Sequence, residues 1–198
     1  MKQLIVATKN KGKIREFKEM LGDSWEVRSL IDLNDQFEVI EDGDTFEANA
    51  KKKALEVSAE ALKQGYDGYV IADDSGLEVD VLQGEPGVYS ARYAGEACDD
   101  ALNNEKLLHK MEGLEQRGAQ FHCVLALVRG DQVLQTFEGI VRGEIVDKLY
   151  GSGGFGYDPM FKPDGYEQTF GILSSEIKHA ISHRGKALRE LIHFLKEL

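Results

Sequence analysis

Apolar positions along the chain follow two periods. Leu4-Ile5-Val6-Ala7 and Tyr69-Val70-Ile71-Ala72 are unbroken apolar runs, the signature of buried strands. After the first run, Ile14, Phe17, Met20 and Leu21 recur at helical spacing, and Gly22 is placed to end that helix. Trp25 to Leu30 predicts a second strand. Phe37 to Asp44 is acidic and loop-like. Phe46, Ala50, Ala54, Val57 and Ala61 then mark a second helix with an Ala-rich face suited to close packing on a sheet, Gly65 just beyond its end, and Asp44 with Glu47 as its capping pair. The run at Tyr69 leads into Asp73-Asp74-Ser75-Gly76, so the two aspartates are expected to end that strand. Leu77, Val79 and Val81 alternate with Glu78 and Asp80, as in a half-exposed strand. Gly84 to Gly95 reads as an ordered loop and Ala101 to Met111 as a third helix capped by Asp99 or Asp100. Phe121 to Val128 and Val133 to Val141 are strands joined through Arg129-Gly130-Asp131-Gln132, a hairpin signal. A glycine-rich loop runs from Gly151 to Asp158. Ala187, Leu188, Leu191, Ile192 and Leu195 form the apolar face of a final helix.

The order βαβα, then hairpin, then helix predicts an α/β or α+β fold with a mixed sheet. At 198 residues without a repeat or linker, the chain is expected to be one domain spanning 1–198. Its formal net charge of -11 argues against nonspecific nucleic-acid binding, which needs a basic surface, but leaves room for a small phosphorylated ligand in a local pocket. Cys98 and Cys123 are far apart and match no zinc spacing, so they read as buried or idle thiols. Residues 1–7 run straight into strand sequence without the features of a signal peptide. No apolar run approaches membrane-spanning length, and the cytoplasm is the expected compartment.

Four segments carry candidate chemistry. Thr8-Lys9-Asn10-Lys11-Gly12-Lys13 lies between a strand and a helix, where unpaired amides and the helix dipole favour an anion; the same residues also suit a capped helix start with solvated lysines. It is not the Walker pattern. Glu38, Glu41, Asp42 and Asp44 precede the second helix. The adjacent carboxylates of Asp73 and Asp74, on an apolar strand, repel one another unless a cation relieves them, and Mg²⁺ favours such hard oxygen ligands. Gly151 to Pro159 contains Phe155 and Tyr157 among glycines, which permit close approach to a ligand and stacking on a base. Ser182-His183-Arg184 at a helix start, with Lys178 one turn earlier, offers donors for a base carbonyl or a phosphate.

In this order the segments resemble the inosine triphosphate pyrophosphatase (Ham1-like, XTP/dITP diphosphatase) family. The resemblance covers nearly the whole chain. It rests on Ala7-Thr8-x-Asn10-x-Gly12-Lys13, Thr45-Phe46-x-x-Asn49-Ala50-x-x-Lys53-Ala54 and Ala72-Asp73-Asp74-Ser75-Gly76-Leu77. Pro86-Gly87-Val88-Tyr89-Ser90-Ala91-Arg92-Tyr93, Gly153-Gly154-Phe155-Gly156-Tyr157-Asp158-Pro159 and Ser182-His183-Arg184-Gly185 complete it.

The resemblance implies an elongated α/β fold with flanking helices and two lobes around a central cleft, usually a homodimer. It implies Mg²⁺-dependent hydrolysis of non-standard purine nucleoside triphosphates (ITP, dITP, XTP) to the monophosphate and pyrophosphate, cleansing the nucleotide pool. By position, Thr8, Lys9, Asn10, Lys11, Gly12 and Lys13 would hold the triphosphate. Glu41 would bind metal, with Glu38 the second choice, and Asp74 would be both metal ligand and catalytic base. Ser75, Phe155, Gly156, Tyr157, Asp158, Lys178, His183 and Arg184 would contact substrate. Donors from the glycine-rich loop or from Arg184, aimed at a base O6, would reject a 6-amino group. Gly171, Ile172 and His179 depart from the family pattern, and no role is assigned to them. The rivals are a phosphotransferase or nucleotide kinase, a noncatalytic nucleotide sensor, and a family neighbour with an altered base preference; product analysis after incubation with ITP separates the first two, and a comparison of nucleotides the third.

Overall fold

The computed structural model describes residues 2–34 and 36–197. Its sheet has six strands in the order β2-β1-β3-β4-β5-β6: β1 Lys2–Val6, β2 Trp25–Ser29, β3 Tyr69–Val79, β4 Gly118–Arg129, β5 Gln132–Ile145 and β6 Phe161–Pro163. β1 pairs in parallel with both β2 and β3, and β5 pairs antiparallel with β6, with Gly143 opposite Pro163. The sheet is therefore mixed, as expected. The helices are α1 Lys11–Leu21, α2 Leu30–Asn34, α3 Phe46–Lys63, α4 Asp100–Lys110, α5 Ser175–Ile181 and α6 His183–Glu197.

The chain packs as two compact units. Unit 1 comprises Met1–Asp74, Cys123–Glu138 and Ala187–Leu198; unit 2 comprises Ser75–His122 and Gly139–Lys186. The unit 1 core gathers Leu4 and Val6 of β1, Phe17 and Leu21 of α1, Ile71, Leu125, Leu127 and Phe137, with Leu188, Leu191 and Leu195 of α6. The predicted apolar faces of α1 and α6 supply much of it. α1 ends at Gly22, whose amide caps onto Lys18 O with φ of 61°, a value that favours glycine. The unit 2 core contains Leu77, Val79, Leu107, Met111, Phe121, Phe161 and Phe170.

Two expectations change. β3 is continuous from Tyr69 to Val79, so Asp73 and Asp74 lie within a strand and not at its end. Apolar neighbours on both sides, Val70 to Ala72 and Leu77, carry the extended backbone through the polar stretch; these residues are buried. The cap of α3 is Thr45, whose hydroxyl accepts from Ala48 N. Asp44 therefore lies one residue too early for the capping-pair role, and Glu47 instead pairs with Lys51 at 2.5 Å. The helix start at Ser182-His183-Arg184 holds: α6 begins at His183, and Ser182 separates it from the seven-residue α5 that contains Lys178.

Candidate functional site

In unit 1 the predicted anion turn is a capped helix start. Asn10 Oδ1 accepts from Lys13 N at 3.0 Å, and Thr8 Oγ1 accepts from Asn10 N at 3.1 Å. That cap satisfies one first-turn amide and leaves those of Lys11 and Gly12 outside the capping bond, at the positive end of the helix dipole. Asn10 and Lys11 are exposed; Thr8, Lys9, Gly12 and Lys13 are partly buried. Lys9 approaches Glu38 at 4.0 Å. The Lys13 ammonium is anchored to Asp73, 2.5 Å from Oδ1 and 3.2 Å from the carbonyl oxygen. Asp73 is fully buried, and Cys123 Sγ donates to its Oδ2 at 3.4 Å.

Next to this anchor stands a carboxylate pair. Glu41 receives Lys53 Nζ at 2.7 Å. Burial works to raise the Glu41 pKa, but the charge and hydrogen bond of Lys53, with help from Lys13, outweigh it and hold the carboxyl below its ordinary value. Asp74 goes the other way. Burial pushes it up to about 6, the Glu41 charge adds to the rise, and Lys53, Lys13 and an Asn49 hydrogen bond oppose it. Asp74 Oδ2 is buried and has no hydrogen-bond partner among the described residues. Asn49 is itself buried and fixes the preceding loop, accepting from Gly43 N at 2.7 Å.

Unit 2 holds the aromatic set. Asp158 is the stake of the glycine-rich loop: its Oδ2 accepts from Phe155 N at 2.9 Å and from Lys178 Nζ at 2.6 Å, with both charged side chains buried. Gly154 is required beside it, since a Cβ there would lie 2.0 Å from Asp158 Oδ2. Lys178 Nζ is 4.8 Å from the centre of the Phe155 ring and Arg184 Cζ is 5.5 Å from it, so two cations flank one aromatic. Arg184, also buried, donates to Ser75 Oγ at 3.1 Å. His183 stacks on Phe121, with ring centres 4.7 Å apart. The buried Tyr157 hydroxyl donates to Ser90 O at 2.7 Å, and burial raises its pKa.

The predicted residues therefore fall into two groups. Thr8 to Lys13, Glu41 and Asp74 belong to unit 1; Ser75, Phe155 to Asp158, Lys178, His183 and Arg184 belong to unit 2. Asp74 and Ser75 are chain neighbours on β3. Two sequence expectations narrow. Lys13 and Asp158 have ion-pair partners within their own units. The amides of Gly153, Phe155, Gly156 and Asp158 also have acceptors, so these loop donors are already used. The sequence does not mark Asn49, Lys53, Asp100 and Asn104 for chemistry, and Asp73, read there with Asp74 as a candidate cation ligand, is the anchor of Lys13. For the α3 pair a signal existed: Asn49 and Lys53 interrupt the apolar face that holds Ala50, Ala54 and Val57, and polar side chains on a buried face need partners.

A mixed α/β sheet that sets a helix start and two carboxylates in one unit, and a cation-flanked aromatic loop in the other, is the equipment of a nucleotide-handling protein. The model of the Ham1 family matches residues 4–194, and the chain belongs to that family. It is 49% identical to the dITP/XTP pyrophosphatase of Bacillus licheniformis, with all of both chains covered. Among solved structures, the Staphylococcus aureus Ham1 protein superposes with a TM-score of 0.84 at 46% identity, covering 99% of each chain. A Coxiella burnetii HAM1 protein superposes at 0.86 and 35% identity over the full length of both.

Proposed function

We propose that this chain hydrolyses non-standard purine nucleoside triphosphates, ITP, dITP and XTP, to the monophosphate and pyrophosphate. The observation that carries the reading is the buried Asp74 carboxylate, with an unpartnered Oδ2 and the ionised Glu41 beside it. A polar atom buried without a partner is costly, and such a cost is characteristic of a group that waits for a ligand. The full-length relative from Bacillus licheniformis bears the name of this activity.

Glu41 and Asp74 also fit a divalent cation. Among the described residues no group of three or more His, Cys, Asp or Glu side chains converges on a point. Mg²⁺ suits such a site, because it takes one or two carboxylates and completes its shell with water and phosphate oxygens. When bound there, it would neutralise charge on the phosphates and lower the pKa of water.

The protein's own part follows from its contacts. The Lys11 and Gly12 amides and the positive end of α1 take phosphate oxygens, while Asp73 keeps Lys13 in place to take charge on the leaving pyrophosphate. Asp74 orients a water for attack on the α-phosphorus and accepts its proton. The new P–O bond forms as the bond from the α-phosphorus to the bridging oxygen breaks. Phe155 stacks on the base. With four loop amides occupied, the Arg184 guanidinium is the better donor to a base O6. An adenine amino group would set donor against donor there, at about 1–3 kcal/mol for each group left unpaired.

No described helix is long and apolar enough to cross a membrane. We further propose a cytoplasmic homodimer acting on free nucleotides and not on nucleic acid, in keeping with the net charge of -11. Sedimentation tests the dimer. The deciding experiment for the activity compares ITP, dITP, XTP, GTP and ATP at matched concentration, with Mg²⁺ and with a chelator. Metal-dependent formation of IMP and pyrophosphate is the expected result. Transfer to an acceptor, or binding of ITP without turnover, overturns it.

A further inference from the structure

One face of α4 is spent on backbone that belongs to other elements. Asp100 Oδ2 accepts from Gly156 N at 2.7 Å, and Asn104, one turn later, donates from Nδ2 to Gly156 O at 3.0 Å. Spacing of four residues puts both side chains on one side of the helix. Together they grip both polar groups of Gly156, the residue that follows Phe155. Gly156 sits in the left-handed region at φ of 59° and, having no Cβ, brings little conformational preference of its own. Asn103 does similar work elsewhere, accepting from Ala94 N at 2.7 Å and donating to Ala91 O at 2.8 Å. The Tyr157 hydroxyl joins the two loops at Ser90 O.

Asn104 makes this grip at a cost. The residue is buried, and its Oδ1 has no hydrogen-bond partner among the described residues. An orphaned buried acceptor costs about as much as the hydrogen bond made by the other half of the amide contributes. Stability alone therefore gives little reason for an asparagine here. Its yield is geometric: the peptide beside Phe155 is fixed in one orientation.

We propose that Asp100 and Asn104 are positioning residues for base recognition: by clamping the Gly156 peptide they set the Phe155 ring against Lys178 and Arg184, and so set the discrimination between 6-oxo and 6-amino purines. The inference rests on the reading of Phe155 as the base platform. Neither residue touches substrate in this account. Each acts through Gly156, and the effect falls on binding and selectivity and not on the chemistry at Asp74.

The test is steady-state kinetics with ITP and ATP for the full chain and for Asn104→Asp, Asp100→Ala and Asp100→Asn, with a thermal melt of each. Asn104→Asp is nearly isosteric and turns an acceptor toward Gly156 O. It is expected to raise KM for ITP and to lower the ITP-to-ATP ratio of kcat/KM by about tenfold each, with kcat changed by less than about twofold. Asp100→Ala, at an exposed position, should shift both in the same sense. Asp100→Asn keeps an acceptor for Gly156 N and should restore both. Folded variants with unchanged KM and unchanged ratio overturn the clamp, as does a loss confined to Tm or kcat. If the wild-type protein itself shows no preference for ITP over ATP, the reading of the base platform falls, and the clamp with it.

Discussion

Burial lifts the Asp74 carboxyl from an ordinary 3.8 to about 6, so at neutral pH the metal-free fold holds the ionised group against its own preference. The sign follows from which form the fold favours. A raised carboxyl pKa means that the native state binds the proton more tightly than the unfolded chain does. The contribution thus favours folding below about 3.8 and is lost as pH rises through about 6. Asp74→Asn removes the ionisation. At pH 7 the metal-free variant should be more stable than wild type by about 1–3 kcal/mol, with the difference vanishing on acidification. The same substitution should lower turnover by about 10²–10⁴-fold, the range of acid–base roles. Chemical denaturation at pH 7 and at low pH, run beside the ITP assay, measures both. A variant that is less stable at pH 7, or that keeps more than about a tenth of the rate, contradicts the assignment.

At the scale of elements, α1 has two duties that a single residue can separate. Asn10 caps it through Oδ1. Asn10→Ala removes the cap and should cost about 1 kcal/mol of stability. Asn10→Asp keeps a capping oxygen and suits the helix dipole, so stability should stay close to wild type, but it sets a negative charge where the triphosphate is expected. KM for ITP should therefore rise more in the aspartate variant than in the alanine variant, the reverse of their order in a urea melt. Equal KM values would remove the helix start from the site. α1 was legible because Ile14, Phe17 and Leu21 repeat strongly and Gly22 closes the run. β3 was legible only in halves. Asp73 to Gly76 looks like a break, and no local rule shows that Lys13 would neutralise Asp73 within the strand. α5 is seven residues long with Ile177 and Ala180 exposed, too short and too weakly patterned to register. Asp44 and Thr45 are both good N-caps, and one residue of register, which the sequence does not show, decides between them.

For the whole molecule, the division into two units could not be read along the chain, because β3, β4, β5 and α6 each pass from one unit to the other. No linker or shift in composition marks those crossings, at Asp74–Ser75, His122–Cys123, Glu138–Gly139 and Lys186–Ala187. Site residues were legible as segments whose partners in space were not, which is why the contacts of Asp100 and Asn104 with Gly156 could not be read there. The same arrangement makes the last twelve residues structurally important to unit 1, whose anion turn and carboxylates lie far away in sequence. Ala187, Leu188, Leu191 and Leu195 enter the same core as Phe17 of α1 and Ile71 of β3. Leu191 is fully buried, and Leu191→Ala should lower stability by about 2–5 kcal/mol, as lost transfer energy and a residual cavity add. Well below its reduced Tm, the variant should still hydrolyse ITP with near-normal kcat, because no group that binds or orients substrate has changed. Asp74→Asn should do the opposite, losing turnover while gaining stability. Measuring kcat and the denaturation midpoint for both variants under one set of conditions separates support of the site from chemistry in it. If Leu191→Ala loses kcat in proportion to stability while still fully folded, α6 does more than complete a core, and its role in unit 1 must include the site itself.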